Sequence, residues 1–329
     1  MVDSGNERMK AGKIVSLLVV LAGSLAPALA EESFPSRPVT LVVPIAPGGG
    51  LDAVARFVAR KFSAALGQPI VIENRAGGSQ NIGIRAVAKA TGDGYTLLYS
   101  SNTITINPAL FTNLGYDVNS DLTPIGKVAS LPLFIVGRAN APYKTLPELI
   151  AFAKTHPEKL SYGSPGTGTP HHLGMELLKS AASVEITHVP YKGSAPGLTD
   201  LLGGNVPLLV TTDAPVRAQL ASGELIAYAT FDATRVAEYP RVQAVSETLK
   251  DFEVGVWHGL FAPAGTPPAI AAKLTRVLEG VVKDQELAAQ LDKIGVLASW
   301  AAPAELRATI KNEQAAWAIA IKRAGIQVK

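Results

Sequence analysis

Cysteine is absent from all 329 positions. That removes disulfides, thiolate nucleophiles and cysteine-held metals, and also the lipid anchor of an exported lipoprotein, which needs a cysteine at its cleavage point. Neither sign of charge is in excess: 30 Lys and Arg face 27 Asp and Glu, for a net +3. Such a balance argues against nucleic acid or a membrane surface as partner. The apolar run over residues 14–25 is too short to cross a bilayer. There is no low-complexity tract, long linker or obvious short repeat, and the length suits one large or two medium domains with ample core.

What is present begins with a leader. Met9-Lys10-Ala11-Gly12-Lys13 is basic, the apolar run follows, and Ala28-Leu29-Ala30 ends it with small residues. This reads as a signal peptide over residues 1–30, cut after Ala30, with residues 1–8 an N-terminal extension ahead of Met9. The expected destination is the bacterial periplasm, where packing alone must carry stability.

Beyond the leader, residues 39–43, 70–73 and 96–100 read as strands alternating with helices over 52–66 and 81–90. This β-α-β-α-β order predicts a parallel sheet covered on both faces, with binding sites beyond the C-terminal strand ends. A second set starts near Leu133. Thr145 and Glu148 have capping-box spacing and open a helix to Lys154. Strands are expected over 160–162, 186–189, 208–211 and 225–230, and a helix over 170–180. The remainder reads as helical, with starts at Thr266-Pro267 and near Pro303. The fold class is α/β: two units, each with a glycine-rich strand-to-helix turn, and a ligand cleft between them.

The most informative segment is PIAPGGGLDAVAR, in which a strand runs through Pro47, Gly48, Gly49 and Gly50 into a helix. Glycines let a backbone approach a ligand, and the helix start directs free N–H groups and the positive dipole end at the same point. The turn is a receptacle for a carboxylate or phosphate, or else only a tight connection. It is neither a Walker loop nor G-x-G-x-x-G. Asp52 complements the helix dipole or accepts from a ligand amine. The counterpart is SYGSPGTGTPHHLG, where Ser164, Thr167 and Thr169 offer hydroxyls and Gly166 and Gly168 offer N–H groups. Tyr162 occupies the first position that a G-x-S-x-G hydrolase elbow requires to be glycine. His171 and His172 point about 100° apart on a helix; they and Glu176 are weak evidence for metal, and packing or capping is the better reading. Lys192 meets a carboxylate or solvent, Gly77, Gly78 and Asn81 form another polar turn, and Asp213 lines the cleft or caps a helix after Pro215.

Six ordered blocks then carry a resemblance: PIAPGGGLDAVAR, ALGQPIVIENRAGGSQNIG, GDGYTLLYSS, LSYGSPGTGTPHHLG, HVPYKGSAPGLTDLLGG and GLFAPAGTPPAI, preceded by FPSRPV. The chain resembles the exported substrate-binding receptors of tripartite tricarboxylate transporters, the Bug or TctC family, over nearly its whole mature length. The resemblance implies a type II, two-domain Venus-flytrap fold, with domain I over 34–128 and 259–329 and domain II over 129–258. It implies capture of a small di- or tricarboxylate, amino acid or aromatic acid by backbone N–H groups and water. Pro47 to Gly50 and Asp52 would oppose Ser164 to Thr169, with Ser100 and Asn102 contributing from the third strand end. It implies a monomer without cofactor or metal, not an enzyme, delivering its ligand to a two-subunit, ion-coupled membrane permease. A receptor for a membrane sensor kinase is the alternative, and a hydrolase using Ser164 and a histidine a more distant one. Three positions depart from the family pattern. Leu51 replaces a small polar residue, which makes the cleft more apolar there. ENRAGGSQNIG replaces a proline- and glycine-richer loop. Thr211 stands where an aspartate is usual, with Asp213 two residues on.

Overall fold

The computed structural model describes Met1 and residues 34–48, 50–191, 193–250 and 252–323. The expected leader, Gly49 and Lys192 lie outside the described residues. The chain separates into two units, Met1–Ser36 and Arg37–Lys329. Both sheets belong to the second.

The chain first lays down β1 (Val39–Val43), α1 (Gly50–Leu66), β2 (Ile70–Asn74), α2 (Asn81–Ala88), β3 (Thr96–Ser101) and α3 (Thr103–Leu110). In α1 the buried residues Leu51, Val54, Ala55, Val58, Ala59, Phe62 and Leu66 recur at helical spacing and form one apolar face. A single turn, α4 (Val118–Asp121), leads into β4 (Leu122–Leu131), and the chain passes directly to β5 (Leu133–Arg138) in a different sheet. There follow α5 (Leu146–Thr155), β6 (Ser161–Ser164), α6 (Pro170–Ala182), β7 (Thr187–Pro190), α7 (Ser194–Gly203), β8 (Leu208–Thr212), α8 (Arg217–Ser222) and β9 (Leu225–Thr230). The chain then returns through β10 (Val256–Pro263), α9 (Pro268–Val282), α10 (Gln285–Asp292), β11 (Leu297–Ala301) and α11 (Pro303–Arg323).

The six-stranded sheet has the order β11-β4-β10-β3-β1-β2 and the five-stranded sheet β7-β6-β8-β5-β9. Leaving β11 aside, the two share one plan. Three parallel strands (β2-β1-β3 or β7-β6-β8) are followed by a strand inserted antiparallel, β10 or β5, and then by β4 or β9. The strands β2, β1 and β3 pair in parallel as expected, while each sheet as a whole is mixed because antiparallel strands extend it. The C-terminal part is also not wholly helical, since β10 and β11 lie in it. All eight residues of β10 are buried, so it lacks the alternation that betrays a half-exposed strand. Apolar clusters lie on each sheet: Val42, Leu98, Trp257 and Phe261 with Ile84 and Leu306 on one, Phe134, Val136 and Leu209 with Leu201 and Val216 on the other.

Candidate functional site

The strands β1 and β3 end on turns into α1 and α3, and β6 and β8 end on turns into α6 and α8. Strand-to-helix turns at the ends of parallel strands are where such sheets take ligands. The described site residues expected from the sequence fall on these four turns or in the strand and helix ends that adjoin them.

At the first turn, Gly48 has φ +84°, which its glycine permits, whereas Gly50 has no such need. A side chain added at either position would meet nothing within 4 Å, so packing does not demand glycine at Gly50. Pro47, Gly48 and Gly50 are all exposed, and the space before the first turn of α1 is open. Asp52 has a different surrounding. Its side chain is buried and accepts from Gly48 N at 2.9 Å, from Arg56 Nε at 2.8 Å and Nη2 at 3.1 Å, and from Asn74 Nδ2 at 2.9 Å. Burial alone would raise its pKa, but the bonds from Arg56, Gly48 and Asn74 outweigh it and hold the carboxyl below its ordinary value. The carboxylate laces the turn together, a bracing role that these bonds show directly. Leu51 is buried as well.

The turn between β6 and α6 is braced by histidines. Ser164 Oγ lies 2.7 Å from His188 Nε2 and accepts from Gly166 N at 3.2 Å. Thr169, the N-cap of α6, accepts from His172 N at 3.4 Å and donates to Gly166 O at 2.7 Å. Gly168 N donates to His172 Nδ1 at 3.2 Å. The rings of His172 and His188 stack at 4.1 Å, and Tyr162 stacks on His188 at 4.9 Å. Burial lowers both histidines to about 4, the His172–His188 proximity adding to it at His188 and Lys179 at both, so the stack is neutral at pH 7. Behind it, Tyr162 donates to Glu176 at 2.6 Å, and Lys179 pairs with Glu176 at 2.9 Å.

These bonds correct one expectation. The N–H groups of Gly48, Gly166 and Gly168 are donated within the protein, while those of Gly50, Leu51, Thr167 and Thr169 carry no hydrogen bond to another described residue. Of the expected residues, Gly50, Thr167 and Thr169 therefore keep N–H groups to offer, and Leu51 adds one. Thr167 is exposed between its two glycines.

At the third strand end, Ser100, Ser101, Asn102 and Thr103 are all buried. Asn102 donates from Nδ2 to Gly255 O at 2.8 Å and leaves Oδ1 without a partner. The turn before α2, noted in the sequence for its glycines, supplies a residue that sequence reasoning passed over. Gln80 reaches Ser101 Oγ at 3.1 Å and Thr103 Oγ1 at 3.2 Å through Nε2, and accepts from Ser100 Oγ at 3.2 Å. His188 was missed too, although it stands in the quoted HVPYKG block.

Asp213 is held by partners of its own. It is buried, accepts from Arg217 Nε at 2.7 Å and from the Tyr239 hydroxyl, and packs against Gly295 across the return from the other sheet. The helix beyond it begins at Arg217 with Val216 as N-cap, so Asp213 does not cap it by its side chain. Among the described residues no group of three or more His, Asp or Glu is arranged to hold a metal ion, and no helix is long and apolar enough to cross a membrane.

Comparison with known proteins agrees with this geometry. Residues 54–326 match the model of the tripartite tricarboxylate transporter family receptor. The periplasmic binding protein BugD is similar in structure, with 35% identity and a TM-score of 0.78, covering 90% of this chain and 100% of that one. Rpa4515 of R. palustris, solved with adipate, has 34% identity and a TM-score of 0.80 over 89% of this chain and 99% of its own. MatC of Rhodopseudomonas palustris, solved with bound malate, has 32% identity and a TM-score of 0.76 over 88% and 100%. The chain belongs to the tripartite tricarboxylate transporter family of receptors, with the two-domain fold of the periplasmic binding proteins.

Proposed function

We propose that the chain is a periplasmic receptor that captures a small organic carboxylate between its two sheets and passes it to a two-subunit membrane permease. The observation that carries the reading is the open, side-chain-free approach to the start of α1, where Gly50 is required by neither φ nor packing. Unbonded N–H groups at Gly50, Leu51, Thr167 and Thr169 supply donors without a cationic side chain. Adipate and malate in relatives of similar identity support a dicarboxylate-sized acid.

In this reading residues 1–30 are removed on export. Domain I comprises 34–128 and 259–329, and domain II comprises 129–258. The protein acts as a monomer and binds without turnover. Ser164 is fully buried and its hydroxyl is shared between His188 and Gly166, which suits a brace better than a nucleophile. A receptor that signals to a sensor kinase would use the same cleft.

The test is thermal melting of residues 31–329 with a panel of small acids, each beside its amide. Ligand at a hundred times its dissociation constant adds about 2.7 kcal/mol. A shift with an acid and none with its fully amidated form supports carboxylate capture. Silence across the panel, repeated after unfolding, dialysis and refolding to remove bound ligand, counts against the receptor.

A further inference from the structure

Four consecutive residues wind left-handed ahead of α2: Gly77 (φ 123°), Gly78 (54°), Ser79 (53°) and Gln80 (74°). The first two are glycines, for which this costs little. Ser79 and Gln80 have a Cβ that this region disfavours, and the only other such non-glycine among the described residues is Ser183, which closes α6. Backbone held in this way calls for a compensating role. Anchorage of the loop does not need the Gln80 side chain. Ser79 O accepts from Asn107 Nδ2 at 2.8 Å, and Asn81 Oδ1 accepts from Asn107 at 2.7 Å and from Tyr116 at 2.6 Å.

What the left-handed turn achieves is delivery of an amide across the end of β3. Gln80 Oε1 takes the Ser100 hydroxyl proton, and Gln80 Nε2 donates to Ser101 and Thr103, whose Oγ1 also accepts from Ser101 at 3.0 Å. Each hydroxyl has one proton. Those of Ser100 and Ser101 are spent inside the cluster, which leaves this wall rich in lone pairs, with the Thr103 proton uncommitted. A carboxylate offers only acceptors, so such a wall receives it poorly, whereas a hydroxyl, an amide or an apolar group meets no repulsion.

The geometry points to Gln80 as a specificity-determining positioning residue, one that orients the Ser100, Ser101 and Thr103 hydroxyls so that the receptor takes an acid with one carboxylate and a neutral far end in preference to a diacid. This deepens the carboxylate-receptor reading and rests on it.

The experiment compares dissociation constants, by calorimetry, of two pairs: adipate with its monoamide, and terephthalate with its monoamide. Wild type is set beside Gln80→Gly, which suits the φ of 74°, and Gln80→Glu. The wild type is expected to favour at least one monoamide about tenfold or more. Gln80→Gly is expected to lose that preference while its ligand-free melting temperature holds or rises, and Gln80→Glu to reject the diacids further. A merely structural glutamine would lower the melting temperature and leave the ratio unmoved. A wild type that prefers the diacids, or an unchanged ratio in Gln80→Gly, overturns the inference but leaves the receptor standing. A wild type that binds neither pair yet binds other acids also overturns it alone. Failure to bind any acid overturns both.

Discussion

At the scale of single residues, Asp52 does the most with the least exposure. Replacing it with Ala takes the carboxylate from Gly48 N, Asn74 Nδ2 and the Arg56 guanidinium, of which Asn74 Nδ2 keeps Ile45 O at 3.1 Å and Arg56 Nη2 keeps Asn74 Oδ1 at 3.3 Å. The Arg56 side chain is 53% exposed and Gly48 is exposed too, so both re-solvate readily, and what is lost is the net worth of charge-assisted hydrogen bonds, about 1.5–3 kcal/mol at most for each. Asp52→Ala is expected to cost roughly 1–3 kcal/mol in denaturant unfolding and to weaken acid binding by loosening the approach to α1. Retained stability would mean that the lacing is redundant. The glycines of this turn were legible in the sequence because their number exceeds what a turn needs. The bracing role of Asp52 was legible only as one of two readings, since its partners Asn74 and Arg56 come from a strand and a helix turn. Gln80 and His188 were not legible. Each acts on a turn more than twenty positions away, Ser101 and Ser164, and nothing local marks such a pairing.

Among elements, legibility followed exposure. α5 was announced by its capping box, with Thr145 accepting from Glu148 N and Glu148 accepting one residue earlier than the usual partner, from Lys144 N at 2.7 Å. β4 was hidden by Pro124 and Gly126, residues that ordinarily argue against a central strand. The structure accommodates Pro124 where the pairing with β10 changes register, between Leu260 and Phe261. α2 packs against the end of β1 so closely that a Cβ on Gly83 would stand 2.7 Å from Pro44 Cβ and 2.9 Å from Arg75 O. Gly83→Ala must therefore push the helix outward, at a cost of about 1–3 kcal/mol. The expected result is a lower melting temperature together with weaker acid binding, because Pro44 leads into the Gly48 turn and α2 carries the Gln80 turn. Unchanged melting would mean that α2 yields freely.

Over the whole molecule, the histidines set the response to acid. Burial lowers His172 and His188 to about 4 and His258 to about 3. Their folded pKa values lie below the unfolded value near 6.5. The unfolded chain thus takes up protons that the native protein refuses, and their stabilisation, complete above about pH 6.5, declines as pH falls toward 4. Each contributes up to about 1.4 kcal/mol per pH unit across that window. Asp232 and Glu313, which burial pushes up, act in the opposite sense. A clearly lower melting temperature at pH 5 than at pH 7 is expected, and His258→Phe should flatten the difference; a flat wild-type profile would contradict the buried neutral state. The two sets of strands and helices were legible from the order of elements, but not the mixed sheets, because β10 enters the first sheet from far along the chain and β5 pairs not with its sequence neighbours but with β8 and β9. That insertion bears on how the polypeptide is made. β10 lies between β3 and β4, and β5 lies between β8 and β9, so neither sheet can close in the order in which its strands leave the ribosome. In the six-stranded sheet β3 and β4 wait for β10, synthesised more than a hundred residues later, whereas in the five-stranded sheet the central β5 is made first and waits for β8 and β9. Until β10 is made, β2-β1-β3 and β4 have no strand to join them, so the six-stranded sheet completes late and by non-local pairing, the slow kind of closure.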